Sequence, residues 1–144
     1  MSAIWHQRPT VEALNRIHQH TAVSSMGIEI VEVGDDYIRG TMPVDERTRQ
    51  PFGLLHGGAS LTLAETLGSA AAVAVVDPEQ FLAVGTAITA NHVRSVRQGM
   101  VVGTATPAHL GRTSQLWEID IIDEAGRNVC LARLTTRVVP LRFS

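Results

Sequence analysis

The chain has 144 residues, 44% of them hydrophobic and 18% charged, with a formal net charge of -2. That size can bury a proper core, and that composition excludes a disordered chain. The near-neutral balance gives no electrostatic footprint for nucleic acid, although all twelve basic residues are arginine. In chain order, Met1 to Pro9 holds Trp5, His6 and Gln7 where a signal peptide would need an apolar run, so a cytoplasmic protein is expected. Thr10 is a candidate N-cap for a short helix with Val11, Leu14 and Ile17 on one face. The period then changes: Ile28, Ile30 and Val33 predict a strand, Gly34-Asp35-Asp36 a turn, and Tyr37, Ile38 and Met42 a second strand. An irregular loop runs from Asp45 to Leu55.

From about Gly58 to Val76 the sequence predicts a long helix that is nearly apolar all round and therefore enclosed by other elements. Glu65 and several Ser, Thr and Gly residues interrupt it, which favours a soluble core helix over a membrane span. Four β-rich segments follow: Leu82 to Ser95, Met100 to Leu110, Gln115 to Asp123, and Val129 to Val139. No repeat or linker divides the chain, so 1–144 reads as one domain. Consecutive strands imply an antiparallel sheet with helices to one side. The fold expected is α+β: one curved antiparallel sheet wrapped around a single long helix, an architecture called the hotdog. One sheet covers only part of such a helix, so a second copy is expected to complete the cover. The lone Cys130, in an alternating apolar run, reads as a small buried core residue.

Glu65 is the only ionisable residue between His56 and Asp77. A carboxylate in so apolar a stretch is expected to be desolvated, with a raised pKa suited to a general base. Its structural alternative is a glutamate reaching solvent through a gap in the cover. Ser69, four residues on, shares its helical face and either assists a water or simply permits close packing. Thr66 is expected to point elsewhere. At the helix start, His56-Gly57-Gly58 offers unpaired N–H groups and the positive end of the dipole, where a thioester carbonyl would be polarised. Such a Gly-Gly pair is also ordinary turn chemistry. Gly57 and Glu65 are eight residues apart, a rise of about 12 Å on a helix. If both serve one substrate, they come from different chains.

The run Gln50-Pro51-Phe52-Gly53-Leu54-Leu55-His56-Gly57-Gly58-Ala59, followed by Ala64-Glu65, resembles the signature of hotdog thioesterases related to 4-hydroxybenzoyl-CoA thioesterase. The branch containing 1,4-dihydroxy-2-naphthoyl-CoA hydrolase and the enterobactin proofreading thioesterase is the nearest match. Residues 90–95 and 107–112 resemble that branch too. The resemblance implies acyl-CoA hydrolysis, on aromatic or broad-range acyl groups, with Glu65 as nucleophile or base. It implies that Gly57 donates to the thioester carbonyl with Gln50 and His56 beside it, and that Ser69 assists water. Gly85, His92, Val93, Arg94 and Ser95, with His109, Leu110, Gly111, Arg112, Thr113 and Ser114, match positions contacting substrate and coenzyme A. Arg94 and Arg112 could hold phosphates in forked, charge-assisted bonds, with Gly111 keeping the backbone accessible. No metal site or cofactor is indicated, coenzyme A being part of the substrate, and no membrane partner is expected. The expected assembly is a homo-oligomer: a dimer as the minimum active unit, and a homotetramer. Two other readings are a hotdog dehydratase or hydratase, for which His56 is the only nearby acid–base candidate, and a non-catalytic acyl-CoA sensor.

Overall fold

The computed structural model describes residues 2–142. Its elements are α1 (Val11–Ile17), α2 (Ala22–Ser25), β1 (Glu29–Val33), β2 (Ile38–Pro43), α3 (Gly57–Val75), β3 (Phe81–His92), β4 (Met100–Leu110), β5 (Ser114–Ile122) and β6 (Asn128–Pro140). Six strands form one antiparallel sheet in the order β1-β2-β4-β5-β6-β3, wrapped around α3. The hotdog architecture expected from the element order is therefore the one found. The order had no place for α2, a single turn held by a reciprocal cap between Thr21 and Ser24.

Strand alternation explains the core. In β5 the buried set is Gln115, Trp117, Ile119 and Ile121, every second residue, so one face of the strand points at α3. From the helix, Leu63, Ala64, Leu67, Gly68, Ala71 and Ala72 meet that face. Leu67 enters a hollow between two paired glycines on neighbouring strands, Gly40 and Gly103. A methyl at either position would lie 2.8 Å from a Leu67 methyl carbon. The helix thus approaches the sheet more closely than side chains there would allow.

Polar contacts fix the ends of α3. A helix leaves its last four carbonyls without internal partners. Here the buried Gln115 amide donates to Ala72 O at 3.4 Å, and the His6 N–H donates to Ala74 O at 3.0 Å. Gln115 Oε1 in turn accepts from Trp117 Nε1 and Thr136 Oγ1, so both the oxygen and the nitrogen of the buried amide have partners. At the other end His56 caps the helix, its Nδ1 accepting from the Gly58 N–H at 2.8 Å.

Within one chain the cover of α3 is partial, as expected for a helix that a single sheet wraps only in part. The sheet covers one face, while Glu65 is exposed and Val73 is 46% exposed on the other. Strands curving around a cylinder reach only part of its circumference, and α1 and α2 cover only a little of the rest.

Candidate active site

The loop before α3 holds no helix or strand, as expected, and its hydrogen bonds position the helix start. Thr48 is buried; its hydroxyl donates to Pro43 O at 2.7 Å, and its carbonyl accepts the His56 N–H at 2.7 Å. Gln50 closes the next turn, its Oε1 accepting from the Phe52 and Leu54 N–H groups at 2.5 and 3.4 Å. That leaves the Gln50 NH2 as the group available to a ligand. Gly57 follows His56, and its N–H has no hydrogen-bond partner among the described residues. A Cβ at Gly57 would lie 2.8 Å from His92 Nε2, so a side chain there would have to displace the His92 ring. Gln50, Gly57, Ser60, His92, Val93, Arg94 and Ser95 line one cavity of about 380 Å3.

Glu65 lies elsewhere. It opens into a separate groove of about 470 Å3, lined from α3 by Thr62, Glu65, Thr66, Ser69, Ala70 and Val73, and from the N-terminal elements by Leu14, Ile17, His18 and Val23. Thr66 therefore shares the groove with Glu65, contrary to its expected direction; a groove this wide takes in neighbouring positions on the helix. The Thr62 hydroxyl donates to Gly58 O and the Thr66 hydroxyl to Thr62 O, at 3.0 and 2.6 Å, so both hydroxyl protons are taken up by the helix and only acceptor capacity is left. Ser69 makes no hydrogen bond among the described residues and can still donate. Burial lowers the His18 imidazole below its ordinary range, favouring the neutral ring. The desolvated carboxylate expected at Glu65 is not met within one chain, because the side chain is exposed at the groove mouth.

Gly85 belongs with Glu65. A Cβ there would sit 3.2 Å from Glu65 Oε1 and 4.0 Å from Ser69 Oγ, so the missing side chain makes room for the carboxylate between α3 and β3. A bulge follows immediately, between Gly85 and Ala87. The β4–β5 turn lies toward the same end of the sheet: Ser114 pairs with Arg137, which pairs with Val84. His92, by contrast, pairs with Cys130 at the far end of β3. Seven residues of strand separate Gly85 from His92, about 23 Å when extended.

The sequence-derived residues thus fall into two groups within one chain. Gln50, His56, Gly57 and His92 to Ser95 lie at one end of β3. Glu65, Ser69 and Gly85 lie toward the other, with His109, Leu110, Gly111, Arg112, Thr113 and Ser114 in or beside the β4–β5 turn. Gly111 does not keep its backbone accessible as expected. Its N–H donates to Ser114 O at 2.8 Å, and a Cβ there would press on that carbonyl and on His109. The tight turn requires it. Arg94 and Arg112 are exposed and have no carboxylate partner among the described residues. Sequence reasoning missed Thr48, Thr62, His18 and the apolar groove walls. The 62, 65, 66, 69, 70, 73 spacing marks one helical face and could have revealed the α3 wall; nothing local marks His18.

Comparison with known proteins identifies the family. Residues 52–130 match the thioesterase superfamily model, a span that takes in Gly57, Glu65, Ser69 and the β4–β5 turn. The chain is 54% identical over 136 residues to the proofreading thioesterase EntH of Cronobacter turicensis, covering 94% of this chain and 98% of that protein. It is 50% identical to the 1,4-dihydroxy-2-naphthoyl-CoA hydrolase of Escherichia coli, covering 94% and 99%. The crystal structure of a mutant of thioesterase PA1618 from Pseudomonas aeruginosa superposes with a TM-score of 0.95 at 45% identity, covering 96% of this chain and all of that one. A hotdog sheet around one apolar helix, a carboxylate opposite a glycine on the edge strand and near-full-length relatedness to such enzymes place this chain in the thioesterase superfamily, as a thioester hydrolase.

Proposed function

We propose that the chain hydrolyses acyl-coenzyme A at a site shared between two copies. The observation that carries this reading is the split just described: Glu65 and Gly57 line separate cavities, while the β3 edge between their clusters pairs with no strand among the described residues. Antiparallel pairing of β3 with its counterpart, centred near Ile88 and Thr89, would set Gly85 of one copy opposite His92 of the other. The Glu65 cluster of each chain would then meet the Gly57 cluster of its neighbour. Such pairing would also remove Glu65 from bulk water, supplying the desolvation that one chain lacks. A homodimer is thus the minimum active unit, and a tetramer of two such dimers is the assembly proposed.

In this site the thioester carbonyl accepts the Gly57 N–H at the positive end of α3, with the Gln50 NH2 beside it. Glu65 of the other copy takes a proton from water, held by the Ser69 hydroxyl, as the water oxygen bonds to the carbonyl carbon. The carbon–sulfur bond then breaks, and the proton passes from Glu65 to the departing sulfur, giving free acid and coenzyme A. Direct carboxylate attack, through an acyl anhydride that water opens, uses the same residues. Arg94 and Arg112, without carboxylate partners, offer guanidinium groups to the coenzyme A phosphates. The names of the relatives support aromatic acyl groups among the substrates, and the apolar groove discriminates only weakly between acyl shapes. We place the reaction in the cytoplasm, with no membrane or nucleic-acid partner and no cofactor beyond the coenzyme A of the substrate.

A dehydratase reading would give His56 the acid–base role. Its Nδ1 is already committed to capping α3, and the carboxylate opposite Gly85 would have no task. The test is thiol release from a panel of acyl-CoAs with wild type and Glu65→Ala. Undiminished release by the variant removes Glu65 from the mechanism, and binding without turnover in wild type would make the protein a sensor.

A further inference from the structure

Strand β6 carries two exposed arginines on the outer face of the sheet, Arg133 and Arg137. Their surroundings differ. Arg133 lies across from Glu118 on β5, and its guanidinium donates to the Glu118 carboxylate at 2.5 Å. Arg137 lies across from Ser114 on β5 and from Val84 on β3, and no carboxylate pairs with it among the described residues. A guanidinium so placed keeps its five N–H donors for something outside the chain. The β4–β5 turn is fastened beside it: the Val138 N–H donates to Thr113 O at 2.9 Å, and the Gly111 N–H to Ser114 O at 2.8 Å. Arg112 stands in that turn, so two exposed arginines without carboxylate partners flank Ser114.

We infer that Arg137 is a further residue holding a coenzyme A phosphate, joining Arg112 of its own chain and Arg94 of the other copy in a site that only the dimer completes. The inference rests on the reading that Arg94 and Arg112 meet those phosphates and that β3 pairs with its counterpart. That pairing sets Gly85 opposite His92. One step further along, Val84 faces Val93 of the other copy, with Arg94 next in line. Neighbouring strands lie about 5 Å apart, so Arg137 stands one strand in from this junction and Ser114 two, about 10 Å away. A ligand that spans Arg94 of one copy and Arg112 of the other therefore crosses β6 at Arg137. Coenzyme A carries a diphosphate and a ribose phosphate, and a planar guanidinium fork binds such groups in paired, charge-assisted bonds. Three such cations at one junction favour a nucleotide-bearing thioester over the same acyl group on a short, uncharged thiol.

The experiment measures kcat/KM at low ionic strength for three thioesters: benzoyl-CoA, benzoyl-dephospho-CoA, which lacks the ribose phosphate, and S-benzoyl-N-acetylcysteamine, which has no phosphate. The proteins are wild type, Arg137→Gln, Arg112→Gln and Arg133→Gln. Arg137 is exposed, so its substitution leaves the core, the melting temperature and the dimer unchanged. Arg137→Gln is expected to lower kcat/KM for benzoyl-CoA about tenfold, through KM, and to leave the N-acetylcysteamine thioester within about twofold of wild type. Arg133→Gln, on the same strand and face, should leave both within about twofold. A loss that persists on dephospho-CoA assigns Arg137 to the diphosphate, and one that vanishes there assigns it to the ribose phosphate. An unaltered benzoyl-CoA value in Arg137→Gln, or an equal fall on the N-acetylcysteamine thioester, overturns the assignment. Arg112 still stands if Arg112→Gln alone shows the phosphate-dependent loss. A wild type that cleaves benzoyl-CoA no better than the N-acetylcysteamine thioester overturns the phosphate reading of all three arginines and leaves the role of Glu65 untouched.

Discussion

The two edges of the sheet are built differently. At one edge β1 is five residues long, carries an irregularity between Ile30 and Glu32, and is covered by α1. Asn15 on that helix bonds both the N–H and the carbonyl of Ile30 at 2.9 Å, using up backbone groups that another strand would need. At the other edge β3 is twelve residues long, and Leu82 and Val84 are 44% and 38% exposed. Natural sheets blunt an edge that must stay single, by shortness, bulges or cover. β3 carries a bulge after Gly85, but it is neither short nor covered along its outer edge, which is why it is the edge proposed to pair. The catalytic candidates lie along β3 and not β1, so the same contrast joins assembly to chemistry.

The strongest way to break this contrast is chemical. Glu65→Ala is expected to lower acyl-CoA hydrolysis by about 10²- to 10⁴-fold, the usual worth of a positioned base, with the dimer intact by sedimentation. Next, a charge is placed on each edge at an exposed residue. Ala87→Asp should give a folded monomer with activity reduced about 100-fold, whereas Val31→Asp on β1 should leave both mass and activity near wild type. Equal effects of the two substitutions would erase the distinction between the edges. Mixing sharpens the point. Glu65→Ala and Gly57→Pro should each be nearly inactive, but subunits exchanged between them should recover about a quarter of wild-type activity, since half the dimers regain one intact site. Gly57→Pro also pushes against His92, which belongs to the same cluster, so the complementation is unaffected. No recovery after proven exchange would place both groups in one chain.

Smaller effects are expected away from β3. Gly103→Ala crowds Leu67 and should cost about 1 to 3 kcal/mol in denaturant unfolding. Asp123→Asn, in the β5–β6 turn, should lower the melting temperature by only a few degrees. The Asp123 carboxylate accepts from the Arg127 and Ala125 N–H groups and from the Arg127 guanidinium, which hold its carboxyl below the usual aspartate range. Its contribution is therefore present above about pH 4 and lost as pH falls through the lowered value. The variant's deficit should shrink in acid; a deficit that grows there would contradict the assignment.

Much of this was legible in the residues. The strand periods and the Gly34-Asp35-Asp36 turn gave the element order, and the eight-residue gap from Gly57 to Glu65 already separated the two groups. Two things were hidden for physical reasons. Periodicity reports that a helix is apolar, not which element lies over each face, so Thr66 was expected to point away from the groove that it shares with Glu65. Contacts between distant segments, such as His92 over Gly57 or Gly85 beneath Glu65, depend on strand register and on the bulge after Gly85, which the strand pattern does not reveal.

The paired hollow at Gly40 and Gly103 reaches further than the core it fills. By admitting the tip of Leu67 it sets the standoff of α3 above the strands, and Glu65 sits on the same rigid rod only two residues away. Even a methyl in that hollow would act as a shim, lifting the carboxylate off Gly85 and altering the clearance of the acyl groove. In the proposed site, two positions outside both cavity linings would therefore set the distance between Glu65 and Gly85, and a catalogue confined to groups lining the cleft would miss them.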